Sequence, residues 1–214
     1  MADQCRRLHE LCIDYTHLTD ELLTSLSCDE HVKLQYLRIN ILVKDMVAAD
    51  YQLHAISEET WCTLSHHSPK LNLLMHFNVL NDQNFDPFFH SHVPATHLFF
   101  GSSVSKDVLG RVGMNCPKLK ELVVSANGNA PIDPELIQIA NRCQNLESVG
   151  LGECQLSSEG LVKFTQICGK RLKQLFVCED VLIPDDNYDL DGLSDKVSES
   201  IGRPWSIEYM PWFE

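Results

Sequence analysis

The stretch Cys116-Pro117-Lys118-Leu119-Lys120-Glu121-Leu122-Val123-Val124 carries the spacing Cys-x-x-Leu-x-x-Leu-x-Val. That spacing returns at Cys143, Leu146, Val149 and Leu151, and again near the start at Cys5, Leu8, Leu11 and Ile13. Looser copies run Leu34, Leu37, Ile39, then Leu71, Leu74, His76, then Val93, Thr96, Leu98, and last Leu172, Leu175, Val177. The leading positions Leu8, Leu34, Leu71, Val93, Leu119, Leu146 and Leu172 stand at intervals of 26, 37, 22, 26, 27 and 26 residues. Self-similarity at a period of roughly 20–50 residues marks stacked units, none of which can bury its apolar face alone.

Working outward from each phrase, the residues that lead into the cysteine have helical spacing. Leu109, Val112, Gly113 and Cys116 fall at i, i+3, i+4 and i+7, as do Leu136, Ile139, Ala140, Cys143 and Leu161, Phe164, Thr165, Cys168. This puts small and apolar side chains on one helical face, which must pack against the strand layer. Helix starts are predicted at Asp133 before Pro134, at Ser157 before Ser158-Glu159, and at Ser57 with Thr60 three residues on. The fold class is therefore an α/β leucine-rich-repeat solenoid, a curved horseshoe with parallel strands on the concave side and helices on the convex side, closed by a C-terminal capping tail. The array is expected over residues 1–178, in about seven repeats of which the first is incomplete. An acidic loop, a capping helix near Leu190 to Ile201 and an aromatic tail follow over 179–214.

Counting back from Cys5 places Met1 and Ala2 in the last turn of a helix whose first turns are absent, so the array reads as N-terminally truncated. The repeat between Leu34 and Leu71 carries extra residues around Val43 to His54. The next is short, and its Asn84-Phe85-Asp86-Pro87-Phe88-Phe89 reads as a loop with little helix.

A formal net charge of −13 argues against nucleic acid, which needs a basic face, and favours a basic partner. The apolar fraction of 44% and charged fraction of 22% are those of an ordinary globular protein. Of nine cysteines, Cys5, Cys116 and Cys143 share one repeat position, and no Cys-x-x-Cys pair occurs. They read as reduced, buried thiols of a cytosolic or nuclear protein. No apolar run approaches a membrane span and the first residues hold no signal-peptide core.

Strand alternation divides each phrase into inward and concave-facing positions. With Leu11 and Ile13 inward, the concave side takes Glu10, Cys12 and Asp14, then Tyr36 and Arg38, then Leu73, Met75 and Phe77, then His97 and Phe99. Glu121 and Val123, Gly150 and Gly152, and Gln174 and Phe176 complete it. The candidate partner-binding residues are Tyr36, Met75, Phe77, His97, Phe99, Val123 and Phe176, an apolar patch of the kind that meets a partner. The competing reading is that the Phe-rich loop 85–89 folds over this patch. Trp212 and Phe213 form the second candidate, either packed back as a cap or held out as an anchor for a partner's pocket. The acidic run 179–191 reads as a solvated face, with a basic-partner contact as the lesser reading.

Neither the neighbours His66-His67 nor the pair His90 and His92 has acidic or cysteine ligands at matching spacing, so no metal is expected. There is no Gly-rich phosphate loop and no nucleophile elbow, and no cofactor or catalytic role is expected.

The cysteine-containing repeat, with its helix Leu18-Thr19-Asp20-Glu21-Leu22-Leu23, resembles the F-box leucine-rich-repeat proteins. Pro94 to Leu98, Val104 to Met114, Val181 to Asp185 and Gly202-Arg203-Pro204-Trp205 through Met210-Pro211-Trp212 resemble the members of that family that recognise cryptochromes in the circadian clock. The resemblance covers essentially the whole chain. It implies a non-catalytic substrate receptor of an SCF-type cullin–RING ubiquitin ligase, located in the cytosol and nucleus. In the family an F-box binds the ligase adaptor, while the repeats and the C-terminal tail hold the cryptochrome. Two departures stand out: this sequence shows no F-box, so adaptor and cullin are expected only for a longer form, and Phe213-Glu214 stand where the family's tail ends in tryptophan. Trp212 and Phe213 are assigned as the inserting pair. The other reading is a scaffold or competitor that binds the substrate without recruiting the ligase.

Overall fold

A computed structural model describes residues 5–42, 53–78, 85–126, 130–183 and 189–208. The strands are β1 (Glu10–Asp14), β2 (Tyr36–Leu42), β3 (Asn72–Asn78), β4 (Ala95–Ser103), β5 (Glu121–Ala126), β6 (Ser148–Leu151), β7 (Leu156–Ser157), β8 (Gln174–Val177) and β9 (Leu182–Ile183). The α-helices are α1 (Asp20–Leu26), α2 (Glu58–His67), α3 (Lys106–Asn115), α4 (Asp133–Arg142), α5 (Ser158–Cys168) and α6 (Leu190–Ile201). Seven strands form one parallel sheet in the order β1-β2-β3-β4-β5-β6-β8, and β7 pairs with β9 beside it. Parallel neighbours require crossovers, and here helices supply most of them. The result is an α/β fold compatible with a leucine-rich-repeat-like architecture.

The predicted helical stripes are the buried ones. Leu109, Val112 and Cys116, Leu136, Ile139, Ala140 and Cys143, and Leu161, Phe164, Thr165 and Cys168 all lie in the core. Helices α3 to α6 pack each against the next. Cys143 donates its thiol hydrogen to the carbonyl of Cys116 one repeat back, at 3.3 Å. Burial pushes the Cys143 thiol up to about 11 and the Cys168 thiol to about 12. Cys5 departs from its repeat-mates: it is exposed, because no described residue packs outside β1 to cover it.

Ser57 and Ser157 cap α2 and α5 as expected, accepting from the Thr60 and Gly160 amides. Asp133 does not cap α4. It stands inside the helix, behind Ile132 at the cap position, and its carboxylate accepts from the Ser157 amide and hydroxyl of the next repeat. Asp20 of α1 does the same, accepting from the Ser57 amide and hydroxyl and the Thr60 hydroxyl. Those hydroxyl donors hold the Asp20 carboxyl below its usual value. Each acid thus ties one helix start to the next helix's capping serine.

The crossover from β3 to β4 has no α-helix among its described residues. Its Phe85, Phe88 and Phe89 are buried instead. They surround Phe77 of β3, with ring centroids 5.2–5.6 Å away, and Phe77 stacks on Phe100 of β4 at 5.2 Å. The loop therefore fills the layer that helices fill elsewhere, and does not fold over the opposite face of the sheet. Arg111 of α3 anchors it, bonding Asp86 at 2.8 Å and standing 5.8 Å from the Phe89 ring centre. The long insertion expected around 43–54 lies, up to Gln52, outside the described residues.

At the far edge, α6 ends at Gly202, whose φ of 75° is the left-handed value glycine adopts freely. Arg203 then donates to the carbonyls of Leu172 and Lys173, both at 2.8 Å, and the Trp205 indole donates to Leu175 O at 2.8 Å. Glu208 forms an isolated parallel bridge to Cys178, its amide donating to the Val177 carbonyl at the end of β8.

Candidate functional site

With one face of the sheet filled by helices and the phenylalanine loop, the other is the continuous open surface. Strand register sets its rows. Arg38 of β2 pairs with Leu74 of β3, Leu74 with His97 of β4, and His97 with Glu121, then Ser148, then Gln174. The next row runs Asp14, Asn40, His76, Phe99, Val123, Gly150, Phe176.

Beyond Leu74 the first row is polar and linked. His97 Nε2 lies 4.0 Å from Glu121 Oε2, and Ser148 Oγ reaches both Glu121 Oε1 at 3.2 Å and Gln174 Oε1 at 3.3 Å. Burial lowers the His97 pKa below its ordinary value, while the Glu121 carboxylate opposes that shift. The second row turns from polar to apolar along its length. Asn40 donates to Asp14, His76 meets Phe99 edge to face at 6.3 Å, and Val123, Gly150 and Phe176 follow. At the β1 end, Glu10, Leu11, Cys12, Tyr36, Arg38 and Leu74 line a depression of about 600 Å³.

Of the residues expected on this face, Tyr36 and Phe176 are exposed, at 44% and 48%, and His97, Phe99 and Val123 are half-buried on it. Leu73, Met75 and Phe77 are not on it: all three are fully buried, pointing into the helix and loop layer. The cause is a one-residue deletion. Leu37 pairs with Leu73, 36 residues on, whereas the preceding turn leucines Leu34 and Leu71 are 37 apart. A one-residue slip sends every side chain of a strand to the opposite face. Leu74 and His76 take the open positions that the sequence reading gave to Met75 and Phe77. The unbroken alternation Leu71, Leu73, Met75, Phe77 was the signal for it. Trp212 and Phe213 lie outside the described residues.

The histidine pairs are placed apart from this face. His66 Nδ1 contacts the carbonyl of Cys62, and the rings of His90 and His92 stack at 5.3 Å. Among the described residues no group of three or more His, Cys, Asp or Glu side chains is placed to hold a metal ion, and no helix is long and apolar enough to cross a membrane.

A row of parallel strands offering one continuous side-chain surface is the arrangement of a protein-interaction scaffold. The chain is 46% identical over 211 residues to F-box/LRR-repeat protein 21 of Mus musculus and 44% identical over 211 residues to that of Bos taurus, each covering 99% of this chain and 48% of the relative. It is also 24% identical over 221 residues to F-box only protein 33 of Homo sapiens, covering 92% of this chain and 39% of that protein. The chain thus spans about half the length of the F-box/LRR-repeat relatives it matches. These likenesses support a place among the F-box/LRR proteins. No protein-family model matches the chain.

Proposed function

We propose that this chain is the substrate-recognition part of an SCF-type ubiquitin ligase, and that its substrate is a cryptochrome held by the open face of the sheet and the C-terminal tail. The observation that carries the reading is the open face itself. Tyr36, His97, Phe99, Val123 and Phe176 converge there from four strands, and the aromatic side chains among them are of the type enriched at protein interfaces. The likeness to F-box/LRR-repeat protein 21 supports the ligase context. The role is recognition rather than catalysis. The site of action is the cytosol and nucleus, and adaptor and cullin join through a longer form bearing an F-box.

The test is binding of the purified chain to a cryptochrome, measured by calorimetry with the parent and with the Trp212→Ala, Phe213→Ala double variant. Truncating a true aromatic anchor costs about 2 kcal/mol or more, so affinity falls at least about thirtyfold. Equal affinity of the two removes the tail from the interface, and absence of binding by the parent removes the cryptochrome reading. A second reading is a competitor that binds the substrate and shields it. Cryptochrome half-life on overexpression of a longer form bearing an F-box separates the two: it shortens for a receptor and lengthens for a competitor.

A further inference from the structure

The open face is uneven at one place. Gly150 stands in the apolar row between Val123 and Phe176, and a Cβ built on it would meet only Val123, at an ordinary 3.5 Å from its Cγ2. Gly152 in the adjoining row is equally bare: a Cβ there would approach nothing nearer than Cys178 Sγ at 3.9 Å. Neither glycine has a positive φ, so neither backbone conformation requires glycine. What the pair leaves is a notch in the side-chain layer, walled by Val123 and the exposed ring of Phe176. Across the three strand spacings from Phe99 to Phe176 it is about 14 Å of apolar surface.

Beyond the notch the charge is of one sign. Glu208 lies beside Cys178 in the edge bridge, and Glu153 and Asp180 flank the same thiol closely enough to act on it. All three carboxylates are exposed, and none has a cationic partner among the described residues. An apolar notch bordered by unmatched carboxylates is complementary to a large apolar side chain flanked by lysine or arginine.

We infer that the Gly150 notch seats one large apolar side chain of a basic protein segment, whose flanking cations meet Glu153, Asp180 and Glu208. This rests on the recognition role proposed above and specifies the chemistry of what is recognised.

A library of random twelve-residue peptides displayed on phage is selected against the full chain, so that the outcome does not depend on a cryptochrome. The expected result is enrichment of peptides with one Trp, Phe, Leu or Met beside two or more Lys or Arg. The best of these, made synthetically, loses at least tenfold in affinity to Gly150→Leu, which fills the notch from the solvent side. It loses a similar factor, and most of its salt dependence, to the Asp180→Asn, Glu208→Gln double variant, which leaves the notch unfilled. Circular dichroism melting verifies the fold of each variant. Acidic or uncharged winners, no enrichment, or winners indifferent to both variants overturn the proposal. So does stronger peptide binding on removal of residues 209–214, which makes the tail the occupant, or self-association abolished by Gly150→Leu, which makes it a second copy. Loss of cryptochrome binding with the peptide result intact removes the function proposed above and leaves this site standing.

Discussion

His97 shows how a single side chain is set by its row. The ring is half-buried between Leu74 and Glu121, which penalises the imidazolium, while the Glu121 carboxylate 4.0 Å away favours it. Burial wins, so the folded-state pKa lies below the ordinary value of 6.5. The sign follows: the unfolded chain takes the proton first, so this group's contribution to stability is full above about 6.5 and is lost as pH falls toward the folded value. Glu121→Gln removes the opposing charge and is expected to lower the His97 pKa further, read from the imidazole proton shifts in an NMR titration. A rise would show that the carboxylate is not its governing neighbour. Position by position, Tyr36, His97, Phe99, Val123 and Phe176 were legible as surface residues because their phrases keep the repeat spacing. The acidic border was not, since Glu153, Asp180 and Glu208 belong to segments outside the repeated phrase that only the fold brings together.

Among the elements, the β3–β4 crossover is the clearest case of one solution replacing another. A helix would bring an apolar stripe to this part of the core. The short repeat brings three fully buried aromatic rings instead. Phe88 touches both Phe77 and Tyr15, at 5.2 and 4.6 Å between centroids, so it joins the loop to the first repeat. Phe88→Ala is expected to cost about 3–5 kcal/mol, measured as a shift in the denaturant midpoint at unchanged slope. A loss below about 1 kcal/mol would mean that the loop is not part of the core. The amphipathic helices α3, α4 and α5 were legible because each repeats i, i+3, i+4, i+7. Strand β3 was misread because an isolated match of Leu71, Leu74 and His76 to the phrase outweighed its own alternation. Alternation responds to burial directly, whereas a phrase match depends on an unbroken count through the preceding turn.

For the whole molecule, the cysteines report the order of the stack. Cys116, Cys143, Cys154, Cys168 and Cys178 are buried, while Cys5, Cys12 and Cys28 are exposed. Burial holds the Cys154 thiol at about 12, far from the thiolate that reacts. Brief alkylation of the native chain, mapped by mass spectrometry, is expected to label Cys5, Cys12 and Cys28 and to reach the five buried thiols only through unfolding. Early labelling of Cys143 would show that the layer opens locally. The acid-to-serine ties between successive helices carry a different consequence. A Cβ on Gly160 would stand 2.0 Å from Asp133 Oδ1, so the small residue in one repeat exists to admit the acid of the repeat before it. The two positions, 27 residues apart, are interlocked across a unit boundary. A repeat cut out between such ties is not a portable module: grafted elsewhere, it carries half of a lock whose key remained behind.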